Sequence, residues 1–151
     1  MAVTDKQAAT LHAQLAGRIE DHNRLFEELT PEEVGYEYSA LIAAGVFEAI
    51  GRRFIRGEET ASDQEVTKFV ADLRSRTPAT AENLDPVVAE RLIRHSLGRG
   101  DIDDIDRKIF FGAQIIVLGG LVADEDFGEA ELDSFMATVR ETADDWISRD
   151  N

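Results

Sequence analysis

The chain has 151 residues, a hydrophobic content of 43% and no cysteine. These values predict one folded domain over residues 1–151 and exclude disulfides and thiolate metal sites. The formal net charge of −15 argues against nucleic-acid backbones and anionic membranes as partners, because both attract clustered lysine and arginine. The N-terminal stretch has no basic start followed by an apolar core, so we expect no signal peptide and a cytoplasmic chain.

The first predicted helix runs from Thr4 to Leu29. Thr4 followed three residues later by Gln7 fits a capping box, which satisfies free backbone donors at a helix start. His22 lies on the apolar stripe of this helix and is typical of a packed, hydrogen-bonded core residue, a buried switch or ligand-binding histidine being the alternative. The stripe consists of residues spaced by three or four: Leu11, Leu15, Ile19, His22, Phe26 and Leu29.

The second predicted helix opens with Thr30, Pro31 and Glu33, a second capping box with proline at the first helical position. It extends to Phe54. Nearly all of its side chains between residues 38 and 50 are apolar or small, and Glu48 is one of two polar exceptions. This pattern predicts a buried helix. Because a buried carboxylate without a partner is costly, we expect Glu48 to be hydrogen-bonded or exposed at a cavity.

Three arginines, Arg52, Arg53 and Arg56, stand at the end of this helix, before Gly57. Cations in the last turn complement the helix dipole, and glycine suits a left-handed closing residue. The alternative is an anion-binding patch formed by the three arginines.

The central predicted helix spans residues 109–123 and reads IFFGAQIIVLGGLVA, with Gln114 as its one polar side chain. We expect it to be buried on nearly all sides, and it is too short to span a bilayer. Gly112, Gly119 and Ala123 fall on one narrow face, where small residues let another backbone come close. Packing inside the monomer is the favoured use of that face, followed by a homodimer seam and then the wall of an apolar pocket.

Further helices are predicted from about 62 to 76, from 85 to 97 and from 128 onwards, with a surface loop over 77–84. No segment alternates with period two, so we expect no strands. The fold class is therefore an all-α bundle of about six helices around the central helix. Residues 65–74 resemble residues 131–140, which suggests two three-helix repeats, unless the similarity is a chance likeness of amphipathic helices.

Charge is unevenly distributed along the chain. Residues 1–51 carry 3 basic and 9 acidic side chains, residues 52–108 carry 11 and 12, and residues 109–151 carry 2 and 10. If the terminal helices lie together, they form one acidic face. That face serves solubility through self-repulsion, or it docks a basic partner.

No catalytic or metal motif is recognisable. The aspartate-rich turns fit no EF-hand frame, and no histidine has the glutamate spacing of a di-iron bundle. We therefore predict no cofactor, no metal and a non-enzymatic interaction or regulatory protein that forms homodimers. The alternative is a helical small-molecule-binding protein whose apolar pocket is lined by Glu48, Gln114 and His22. An enzyme, the third class, would use Glu48 and His22 as acid and base.

Overall fold

A computed structural model describes residues 2–150 of the chain. Most of these residues are helical, which confirms the all-α class. They also include one short antiparallel hairpin, with β1 at Ile55–Arg56 and β2 at Glu59–Thr60. Eight helices are present among them: α1 Asp5–Leu15, α2 Ile19–Glu28, α3 Tyr36–Phe54, α4 Asp63–Ser75, α5 Pro78–Asn83, α6 Pro86–Ser96, α7 Arg107–Glu125 and α8 Glu129–Asp150.

The first predicted helix is two helices. The capping box of Thr4 and Gln7 is present, but α1 ends at Leu15 and Gly17 takes a φ of +79°, a left-handed conformation that stops the helix. The stripe therefore does not continue on one face: Ile19 and Phe26 of α2 are 54% and 40% exposed. The expectation of one continuous helix was wrong because a single glycine conformation outweighed the apolar spacing.

The second capping box is also present, with reciprocal bonds between Thr30 and Glu33 of 2.9 and 3.2 Å. It closes a turn rather than a helix, and α3 begins later, at Tyr36. At the other end α3 stops at Phe54, and the hairpin follows with Gly57 at a φ of +65°. The expectation of no strands was therefore wrong at this point.

Other local predictions are confirmed. Ser62 caps α4 by accepting a hydrogen bond from the Glu65 amide at 3.2 Å. Asp85 caps α6 by accepting from the Val87 amide at 2.8 Å. The prediction of a loop over 77–84 was wrong, because Thr77 caps the short helix α5 and Pro78 suits its first position.

Helix α7 matches the predicted central helix, although it is not buried on nearly all sides. Val117, Leu118 and Leu121 on one side are buried. On the opposite side Ile109 is 56% exposed, and Gly119 is exposed as well.

The prediction that Gly112 and Gly119 allow close packing inside the monomer was also wrong. A Cβ atom built at Gly112 or at Gly119 meets nothing within 4 Å, whereas one built at Gly120 lies 2.5 Å from Leu73 Cδ1. The close approach inside the chain is therefore at Gly120. Packing inside the monomer does not explain Gly112 and Gly119.

The described residues group into two compact units. The first unit comprises residues 2–48 and 122–150, and the second comprises residues 49–121. The first unit carries 5 basic and 19 acidic side chains, a net −14, and the second carries 11 and 12, a net −1. Almost the whole net charge thus belongs to one unit. The single domain and the two repeats stay predictions.

Buried aliphatic side chains fill both units. In the first unit they include Leu11, Leu41, Ile42, Val139 and Ile147, and in the second Ile50, Val66, Leu92, Ile93 and Leu118. No helix within residues 2–150 is both long enough and apolar enough to cross a membrane.

Candidate functional site

The first and last helices lie against each other in the first unit. The Val3 amide donates to Asp144 Oδ1 at 2.7 Å. Arg140 donates to Asp5 Oδ1 and to the Val3 carbonyl, both at 2.8 Å. These bonds hold the N-terminal end of α1 on the middle of α8, so the terminal helices are together, as the charge pattern required for an acidic face.

A groove of about 400 Å³ opens in the same unit. It lies between the C-terminal end of α1 and the turn that joins α7 to α8, and we call it the α1–α8 groove. Asp126 in that turn has a φ of +52°, which aspartate tolerates better than most residues. The lining residues are His12, Leu15, Ala16, Arg18, Val122, Ala123, Asp126, Phe127, Gly128, Glu129 and Leu132.

The chemistry of this groove is an apolar wall with a charged rim. Leu15, Val122, Phe127 and Leu132 are apolar, and Val122 and Leu132 are buried. Such a wall suits an apolar side chain or the methylene stem of a lysine or arginine, whose charged head then meets the rim. The rim carries the carboxylates of Asp126 and Glu129 and the guanidinium of Arg18.

His12 connects the wall of the groove to α8. Its Nε2 is 2.9 Å from Asp133 Oδ1, and its Nδ1 is 3.1 Å from Arg18 Nη2. Because a guanidinium only donates, Nδ1 must accept, so the proton of the neutral imidazole is on Nε2 and is donated to Asp133. Both ring nitrogens are engaged, and the groove lining contains no hydroxyl or amine. The groove therefore offers apolar contact and charged side chains.

The surroundings of two ionisable groups in the first unit shift their pKa values. The Thr30 backbone amide, which donates to Glu33, lowers the pKa of that carboxyl below its ordinary value. Burial raises the pKa of Tyr38 to about 12, so this phenol stays neutral. Its ring makes an edge-on contact with that of Phe26, with the centroids 6.1 Å apart.

His22 is held by neighbours inside the first unit. Its Nδ1 lies 2.8 Å from the Thr10 carbonyl oxygen, and since a carbonyl only accepts, Nδ1 carries the proton. Its ring is 5.9 Å from that of Phe26. The predicted hydrogen bond is therefore present, but His22 is half-buried rather than a core residue, because α2 lies on the surface of its unit.

Glu48 and Gln114 belong to different units. Glu48 is half-buried in α3, in the first unit, whereas Gln114 is buried in α7, in the second. None of Glu48, Gln114 and His22 lines the α1–α8 groove. The ligand pocket predicted from these three residues stays a prediction.

Two of the three arginines of the predicted anion patch share a groove of about 440 Å³ in the second unit. Arg53 and Arg56 line it, while Arg52 is not part of its lining. The Arg53 guanidinium lies 5.3 Å from the centroid of the Phe69 ring, a cation–π arrangement. Lys68 adds a third cation that the sequence did not single out, and Glu65 and Asp72 add two carboxylates. The anion patch stays a prediction.

The α1–α8 groove and the contact between His12 and Asp133 were missed at the sequence level. The two residues are 121 positions apart, and neither belongs to a motif. The one available signal was the concentration of acidic residues in both terminal segments, which pointed to the correct helices without naming the groove.

Within residues 2–150 no group of three or more histidine, aspartate or glutamate side chains is arranged to hold a metal ion. No family model, no curated protein and no solved structure matches this chain.

Proposed function

We propose that this chain is a non-enzymatic interaction protein whose first unit binds a basic segment of a partner protein. The observation that carries the proposal is the coincidence of the charge with one compact unit, −14 against −1. Complementary charge accelerates encounter and selects the partner, while apolar contact supplies affinity. The first unit combines both properties.

Exposed apolar side chains on the first unit support binding beyond simple attraction of charge. Ile19, Tyr36 and Phe47 are 54%, 47% and 49% exposed, among the acidic side chains of the same unit. An amphipathic helix with a basic face matches this combination, because the same unit offers exposed apolar side chains to its apolar face and carboxylates to its cations. The α1–α8 groove is the proposed anchor point for such a segment.

The test is a titration of the full chain with a short synthetic helix of leucine and lysine, followed by calorimetry. The groove variant is the double substitution Asp126→Asn and Glu129→Gln, which keeps a residue tolerant of positive φ at 126. We expect it to weaken binding about tenfold, since two partly exposed ion pairs contribute up to about 1 kcal/mol each.

The matched control is Glu58→Gln with Glu82→Gln, which makes the same change in net charge on exposed residues of the second unit. We expect its affinity to stay close to that of the unsubstituted chain. If both double substitutions weakened binding equally, net charge alone would attract the peptide, and the groove would have no part in the proposal. Absence of binding at low salt would remove the proposal itself.

The proposal extends to a cytoplasmic chain that also associates with itself. The support for self-association is the nearly neutral second unit, which lacks the electrostatic repulsion that opposes contact between two copies of the first.

A further inference from the structure

Helix α7 has a long, largely apolar face that its own unit leaves open. Ile109 is 56% exposed, Gly119 is exposed, and Gly112, Ile115 and Ile116 are half-buried. At 100° per residue these five side chains occupy one arc of roughly 120°. We call these five residues the α7 open face, and none of them is polar. Lys108, an exposed residue just before Ile109, falls on the same arc and places one cation at its N-terminal end.

The two glycines of this face require an explanation. Glycine in a helix interior is less stable than alanine, because it loses more backbone freedom on folding. No close packing within the chain requires glycine at these positions, because a Cβ atom at either one meets nothing within 4 Å. Gly112 and Gly119 are seven residues apart, two helical turns, so they form a flat strip beside Ile109 and Ile116 onto which another helix can approach closely.

We propose that the α7 open face is the surface through which two copies of this chain associate. Charge selects a second copy as the occupant. The face belongs to the unit with a net charge of −1, whereas the other unit, at −14, repels its own kind. A basic partner of the acidic unit finds no carboxylate within the α7 open face, but an identical helix presents the same apolar, glycine-flattened strip and is complementary to it. This inference rests on the self-association in the proposed function and names the surface that performs it.

The test measures the dimer dissociation constant by sedimentation velocity over a range of chain concentrations. The variant is Ile109→Glu with Gly119→Glu, two open positions where the new side chains do not disturb the fold. Each copy would then carry unpaired carboxylates into the seam, so we expect the dissociation constant to rise about 100-fold or more. Circular dichroism of the variant should match that of the unsubstituted chain.

The matched control is Val87→Glu with Ile55→Glu. These residues are 60% and 41% exposed, lie in the same unit and give the same change in net charge, but they are outside the α7 open face. We expect the control to dimerise as the unsubstituted chain does. A dimer that survives the α7 substitutions would overturn the assignment of the face while leaving self-association intact.

An unsubstituted chain that stays monomeric at about 100 μM, where even micromolar association is saturated, would overturn both the face and self-association. The dependence on salt concentration distinguishes self-association from the binding of the basic peptide. Raising the salt concentration should weaken peptide binding and leave an apolar dimer intact. Peptide binding should also persist in the α7 variant.

Discussion

At the residue scale, neighbouring glycines of α7 have opposite surroundings. Gly119 is open, whereas a Cβ atom at Gly120 would lie 2.5 Å from Leu73 Cδ1. Leu73 is only 3% exposed and has little space into which to move. Adjacent positions of one helix thus differ in what an added methyl group would do.

Alanine at each position should separate these effects. Both substitutions gain the same helix propensity, so the difference between them reports the steric cost, which for overpacking is about 1–3 kcal/mol. We expect Gly120→Ala to have a lower free energy of unfolding than Gly119→Ala by that amount, measured by urea titration of the monomer. Equal stabilities would mean that Leu73 moves aside without cost.

The ion pair between Arg91 and Asp104 gives a second prediction at this scale. Arg91 Nη2 lies 2.5 Å from Asp104 Oδ1, and this hydrogen bond lowers the pKa of Asp104 below its ordinary value of 3.8. A lowered pKa in the folded chain contributes stability that is fully present above the unfolded value and is lost as the pH falls through the folded one.

We therefore expect Asp104→Asn to lower the midpoint of urea unfolding at pH 7, with the difference from the unsubstituted chain shrinking as the pH falls below about 4. Comparison of the two chains at each pH removes the general effect of neutralising other carboxylates. A difference that stays constant down to pH 3 would show that the pair does not contribute through charge.

At the element scale, the break between α1 and α2 determines what α2 can bury. None of the residues of α2 is buried, because the turn at Gly17 lays the helix on the surface of its unit instead of continuing α1. A Cβ atom at Gly17 would meet nothing within 4 Å. The requirement for glycine is therefore one of backbone conformation alone.

Substitution of Gly17 should show that requirement. We expect Gly17→Ala to lower the free energy of unfolding by about 1–2 kcal/mol, the cost of a left-handed conformation for a residue with a Cβ atom. Gly17→Asn should lower it less, because asparagine adopts this conformation more readily. If alanine and asparagine were equally tolerated at this position, the turn would have to rearrange without cost.

At the scale of the whole molecule, the charge of the first unit opposes its own folding. The repulsion among its 19 acidic and 5 basic side chains is greater in the compact state than in the unfolded chain. Charges farther apart than the Debye length are screened, and this length falls from about 30 Å at 0.01 M salt to about 10 Å at 0.1 M.

We therefore expect the thermal unfolding midpoint to rise as sodium chloride increases over this range. Potassium chloride should give the same rise if the effect is screening rather than binding of a specific ion. A midpoint that does not respond to either salt would show that the acidic side chains are spaced widely enough not to repel one another.

Local chemistry made several features predictable from the sequence. Capping at Thr4, Ser62 and Asp85 was correct because each cap depends on a few neighbouring residues. Gly17 was missed because a glycine in a helical pattern does not reveal its φ. The groove residues His12 and Asp133 could not be paired, since their contact depends on how α1 and α8 pack.

The sequence by itself determined the helical class, most helix caps and the concentration of acidic residues in the terminal segments, because propensity, capping and charge are properties of short stretches. Only the tertiary structure decided which side of α7 is covered, which glycine is tightly packed and which distant side chains form the α1–α8 groove. These depend on contacts between residues far apart in the chain, and periodicity shows that a face is apolar without showing what covers it.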